Sequence, residues 1–256
     1  MTRAAKNFLI CLGGGILLVI CVCLIISAFN SGSATGESKT YQIDGEVLNL
    51  EVEIGAADFS IKVGEKFSVE SNLKRLTVRQ RGDNLVVKES TFGHKNYNNA
   101  FLIIYIPEGT QFGDVEISTG AGKFTADLLS ARSLSLEFGA GEVNIGELVA
   151  TREAEIESGA GQLTIGGGAI NNLQLEMGMG KLNLTAEIGD GELNLGVGEA
   201  NITLLGDRAY YTLELNKGIG DLTLDGESLS GGRTVGSGES FVEINGGIGA
   251  INVNFE

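Results

Sequence analysis

A glycine pair returns at nearly constant intervals through most of this chain. The rows VEISTGAGKFTA (Gly120), LSLEFGAGEVNI (Gly139), AEIESGAGQLTI (Gly159), LQLEMGMGKLNL (Gly178), LNLGVGEANITL (Gly198) and LELNKGIGDLTL (Gly218) align on these glycines at spacings of 19, 20, 19, 20 and 20 residues. A further row, VEINGGIGAINV (Gly247), follows an insertion of about nine residues, and an early one, LEVEIGAADFSI (Gly55), precedes them all. A fixed period of this length implies one small unit per repeat, which buries its apolar face only by stacking on its neighbours.

Apolar residues stand five and three positions before the glycine (Leu134 and Leu136; Leu173 and Leu175; Leu213 and Leu215). They recur four and six positions after it (Val143 and Ile145; Leu182 and Leu184; Leu222 and Leu224). Each pair keeps the two-residue period of a strand. The interval between pairs is odd, so the chain must bend or bulge at the glycines to send both inward, and a missing Cβ permits that bend. The reading is an all-β parallel β-solenoid with rungs of roughly twenty residues, spaced about 4.8 Å apart. An outward column five positions after the glycine reads Thr125, Asn144, Thr164, Asn183, Thr203, Thr223 and Asn252; such a column can hydrogen-bond along the stack. An antiparallel sandwich of hairpins would also alternate, but its turns would favour Asn-Gly or Asp-Gly.

The segment Phe67 to Pro107 breaks the period. It contains a hairpin expected around Gly82-Asp83-Asn84, a polar stretch TFGHKNYNNA, and a buried strand FLIIYIPEGT ended by Pro107 and Gly109. This part is expected to cover one end of the stack. No cover is evident after Phe255-Glu256, so self-association through an open last rung is expected.

Phe8 to Ile26 is a run of nineteen residues without a charge, long enough as a helix to cross a bilayer core. Arg3 and Lys6 precede it and the next basic residue is Lys39, which places the N-terminus in the cytoplasm and the bulk of the chain outside. A cleaved signal peptide is the alternative, although Ile26-Ser27-Ala28 is a poor cleavage site. The expected organisation is therefore 1–7 cytoplasmic, 8–28 transmembrane signal anchor, 29–44 flexible linker, 45–110 N-terminal strands and cap, and 111–256 solenoid.

Thirty-three acidic residues against eighteen basic give a net charge of −15, which disfavours nucleic acid and anionic lipid. Cys11, Cys21 and Cys23 all lie in the apolar run and His94 is the sole histidine, so neither a thiolate site outside that run nor a multi-histidine metal centre is available. The stretch ISTGAGKFTAD has the look of a phosphate loop. It lacks the leading glycine, where Ile117 stands, and the Ser or Thr after Lys123, where Phe124 stands. Lys123 instead belongs to an outward polar column continued by Glu142, Gln162, Lys181, Asn201 and Asp221.

GAG-punctuated rows, preceded by an IPEGT turn and a DVEIST strand, resemble the bacterial putative-adhesin family over roughly Gly45 to the C-terminus. That resemblance implies a cell-surface β-solenoid, often attached to a membrane helix, with an envelope role and sometimes a link to envelope stress. It brings no catalytic residues. The expected function is accordingly a membrane-anchored, non-enzymatic envelope protein that binds envelope proteins, a wall polymer or itself. No catalytic, cofactor-binding or metal-binding residues and no cofactor are expected. The alternative is a polysaccharide-active β-helix enzyme using outward carboxylates such as Glu116, Glu155 and Glu214. Calcium-loaded repeats would need acidic glycine turns, whereas Ala, Met, Ile and Val fill these; an ice-binding array would need a second Thr column.

Overall fold

The computed structural model describes residues 33–90 and 96–256. The apolar run Phe8 to Ile26 and His94 lie outside the described residues. Within them the regular elements are strands, apart from one 3₁₀ turn at Arg208–Tyr210. In chain order they are β1 (Thr35–Gln42), β2 (Asn49–Gly64), β3 (Ser68–Leu73), β4 (Leu76–Arg81), β5 (Asn84–Glu89), β6 (Phe101–Pro107), β7 (Phe112–Ile165) and β8 (Gly168–Leu204). There follow β9 (Tyr211–Asn216), β10 (Ile219–Leu224), β11 (Glu227–Ser228), β12 (Arg233–Gly236), β13 (Ser240–Asn245) and β14 (Ile248–Phe255).

Strand structure runs unbroken through the glycine corners of β7 and β8, each of which threads more than one rung. Rungs pair in parallel: Leu50 with Val115 through Ile61 with Ala126, and Ala154 with Leu173 through Ile165 with Leu184. Antiparallel pairs are confined to the ends, so the hairpin sandwich does not apply.

The corner explains the glycines. The second glycine of each pair has a positive φ, for example +138° at Gly141 and +145° at Gly198. A Cβ there would overlap the carbonyl oxygen of the rung below: Gly141 on Gly122, Gly161 on Gly141, Gly180 on Gly161. Glycine is thus required twice over, by backbone angle and by stacking distance.

The same contacts correct one row. Gly198 stacks on Gly180 and Gly196 on Gly178, so Gly196 is the first glycine of that rung and Gly198 the second. The outward column therefore carries Asn201, with Thr203 two residues further along beside Asn254, and Glu199 takes the place expected for Asn201 next to Lys181.

Stacking order departs from sequence order at both ends. β5 and β6 pair in parallel with β2 on the side opposite β7, so β2 is an interior rung. β13 and β14 likewise slot between β8 and the β9–β10 rung. The C-terminal strand is therefore not the open end that self-association was expected to use. The outermost rung is β9–β10, and its edges are blunted by the antiparallel strands β12 and β11 from the insertion after Leu224. Arg208, in the loop before β9, bonds Asp225 at 2.5 Å and lies 5.1 Å over the Phe255 ring, tying the end of β14 to the turn after β10.

At the other end the expected hairpin is present as β4 and β5, Arg81 opposite Asn84, and β6 ends at the turn after Pro107. The stretch expected as a linker is already ordered in part, since β1 pairs antiparallel with β3. Glu89 is a buried carboxylate here; it accepts from the Tyr97 hydroxyl at 3.0 Å and the Gly55 N–H at 3.1 Å. Burial, then the charge of Glu89, raises the Tyr97 pKa.

The core is one continuous column of inward side chains. Phe59, Phe124 and Phe138 step through it with ring centroids 4.9 and 5.3 Å apart, and the later rungs are largely aliphatic until Tyr211 packs on Phe255 with centroids 5.6 Å apart.

Candidate functional site

Strand alternation gives the stack two long polar surfaces. On the strands before each corner, one outward column reads, in stacking order, Glu51, Glu116, Ser135, Glu155, Gln174, Glu192, Glu243 and Glu214. Its neighbour reads Glu53, Ser118, Glu137, Glu157, Glu176, Asn194, Asn245 and Asn216. Lys88, from β5, bonds Glu51 and reaches Glu53 at 3.3 Å, and from Glu116 onward both columns are built of Glu, Gln, Ser and Asn. The last three amides form a ladder: Asn216 donates to Asn245 at 2.9 Å and Asn245 to Asn194 at 3.0 Å.

Burial and the carboxylates of Glu137, Glu176 and Glu155 hold the Glu157 pKa above its ordinary value. A carboxyl raised on folding favours the folded state at low pH, and that advantage is lost as pH climbs from the unfolded value through the raised one. Glu157→Gln is therefore expected to raise the urea midpoint at pH 7.5 and to leave it unchanged well below about pH 4. Equal shifts at both pH values would contradict a repulsive column.

The strands after each corner carry a different surface. Here Lys123 meets Glu142 at 3.3 Å and Lys181 meets Glu199 at 3.2 Å. Hydrogen bonds from Asn144 and Asn201, and then the two lysines, lower the pKa of Glu142 and Glu199. A second ladder runs Thr164, Asn183, Asn201, Asn252, Thr223, with neighbouring groups 2.9 to 3.4 Å apart. Side chains satisfied by their neighbours make this face stiff and leave it little free hydrogen-bonding capacity.

The carboxylates singled out in the sequence fall on the first face. Glu116 and Glu155 lie either side of Ser135, while Glu214 sits at the far end of the same column. Glu116 and Glu155 border an open trough of about 620 Å³, edged also by Glu51, Glu153, Asn84 and Arg81. Ser133 Oγ is enclosed there without a hydrogen-bond partner. Glu192 and Glu243, which extend the column, become legible only with the corrected phase at Gly196 and the displaced position of β13. Among the described residues no group of three or more His, Cys, Asp or Glu is placed to hold a metal ion, and no helix is long and apolar enough to cross a membrane.

No similar sequence is found among curated proteins. Among solved structures, a putative adhesin from Bacteroides fragilis NCTC 9343 matches with a TM-score of 0.52 at 11% identity, over 88% of this chain and 100% of that one. A putative cell adhesion protein from Clostridium sporogenes ATCC 15579 gives 0.38 at 18% identity, over 86% and 99%. A putative lipid binding protein from Parabacteroides distasonis ATCC 8503 gives 0.40 at 14%, over 86% and 98%. Of these three, the Bacteroides likeness is close enough to show a shared fold. Residues 43–241 match the Toastrack DUF4097 family, well over half of the sequence. The chain belongs to the Toastrack DUF4097 family.

Proposed function

We propose that the protein is a membrane-anchored, non-enzymatic component of the cell envelope whose acidic face binds a cationic partner outside the cytoplasm. The observation that carries this reading is the run of carboxylates from Glu116 to Glu214, aligned over successive rungs on a rigid sheet without cations in its columns. Such a row focuses negative potential along a line and suits an extended basic polymer or a basic protein surface. The adhesin names of the similar structures support a binding role, and the charge-free run Phe8 to Ile26 supports an anchor.

Membrane fractionation tests the anchor: deletion of residues 8–26 is expected to release the protein, and retention in the membrane would contradict it. Polylysine as a probe tests the face. The full chain is expected to retain it in a salt-dependent manner, and Glu137→Gln/Glu157→Gln/Glu176→Gln to lose most of that retention. Unchanged binding by the triple variant would move the site elsewhere. Product release from wall polysaccharides would favour the enzymatic alternative, for which Glu116 and Glu155 at the trough are the first residues to replace.

A further inference from the structure

The residue between the two glycines of each corner contributes nothing to the core, and it points away from the stack. In stacking order these residues are Ala56, where Ala57 stands in place of the second glycine, then Ala121, Ala140, Ala160, Met179, Val197, Ile248 and Ile219. Alanine suffices in the first four rungs. In the next four, consecutive large aliphatics stand in water: Met179 is 46% exposed, Val197 47%, Ile248 53% and Ile219 73%. The displaced C-terminal rung makes the row continuous, since Ile248 lies beside both Val197 and Ile219. A contiguous apolar ridge on a soluble surface marks a contact.

We infer that this ridge joins two copies of the chain, antiparallel, about a two-fold axis crossing it between the Val197 and Ile248 rungs. Charge decides the partner. Two residues beyond the ridge in each rung runs the column Lys181, Glu199, Ala250, Asp221. A two-fold in the contact plane sets this column against its own reverse, so Lys181 of each copy faces Asp221 of the other and Glu199 faces Ala250. The ridge is matched in the same register: Met179 meets Ile219 and Val197 meets Ile248. An isologous contact needs this self-complementarity.

The bilayer is a poor occupant. Ser33, just before β1, pairs with Asn96, and seven strand spacings, about 34 Å at about 4.8 Å each, separate β1 from the Met179 rung. Four side chains also cover less than the roughly 800 Å² per partner of a stable interface. The dimer is therefore weak in dilute solution, and confinement on a membrane would raise its occupancy. The contact itself does not depend on the acidic-face reading.

The test is cross-linking of the full chain in membranes, with Cys11, Cys21 and Cys23 replaced by serine and one cysteine introduced. Val197→Cys is expected to form disulfide-linked dimers on mild oxidation. Ala121→Cys, on the same ridge but far from the axis, is expected to form none. Lys181→Glu in the Val197→Cys background should cut the dimer yield about fivefold or more, because like charges then face each other. Adding Asp221→Lys should restore it. All four side chains are exposed, and unchanged thermal unfolding of the variants confirms the fold. Equal linking through Ala121→Cys, failure of the charge exchange to restore the yield, or an adduct to a different protein would each overturn the two-fold contact.

Discussion

Replacing Gly141 by alanine is expected to cost on the order of 3 kcal/mol or more, a large part of the roughly 5–15 kcal/mol that holds a domain together. The residue has φ +138°, and its added methyl would overlap the carbonyl oxygen of Gly122 one rung away. Neither problem has a local remedy. Rotating Gly141 out of this conformation breaks the corner, and lifting the rung breaks the ladder on both sides, because Gly161 leans on Gly141 in the same way. Ala140, next door but directed outward, is the control: Ala140→Ser should fall within about 0.5 kcal/mol of the parent. Urea unfolding of the pair decides the matter, and similar midpoints for the two variants would mean that the corner does not need its glycine.

Removal of residues 240–256 is expected to do more damage than the loss of an end rung. In a repeat stack, trimming the terminus normally costs only the terminal unit and its single interface. Here the last residues form an interior rung, with β8 on one side and β9–β10 on the other. Val242, Ile244, Ile251 and Val253 are buried in it, and at about 1.5–3 kcal/mol each they contribute roughly 6–12 kcal/mol. Deletion also leaves two facing sheet edges unpaired, about 9.6 Å apart. The truncated chain should lose cooperative thermal unfolding and become protease-sensitive well beyond β9 and β10. Melting within a few degrees of the parent would show that the rung is peripheral.

The glycine rows, the two-residue alternation and the odd interval across each corner led directly to stacked parallel rungs, because each reports a local steric demand. Two features were harder to read, for identifiable reasons. Gly191 occupies an inward position where other rows carry an apolar side chain, so the row's pattern begins at Leu193 and shifts by two residues. The stacking order at the ends is invisible to periodicity, since rows of like pattern stack equally well on one another. What separates the alternatives is the connecting loops and the caps: the Arg208–Asp225 pair, and Asp225 Oδ1 accepting from the Phe255 N–H at 3.1 Å. On the candidate site, Glu116, Glu155 and Glu214 were identified as outward, but the far half of the acidic column emerges only when Glu192 and Glu243 are set in register between Gln174 and Glu214.

The order of rungs underlies both the acidic column and the apolar ridge, and paired cysteines test it directly. In a chain with Cys11, Cys21 and Cys23 replaced by serine, Asn201→Cys/Asn252→Cys puts the thiols on adjacent strands, whose Cα separation of about 4.8 Å suits a disulfide. Asn201→Cys/Thr223→Cys puts them two strands apart, beyond the roughly 7 Å limit. Oxidation is expected to close the first pair and leave the second open. Closure of the second pair with the first left open would mean that the rungs stack in sequence order, contradicting the interior placement of the C-terminal strand.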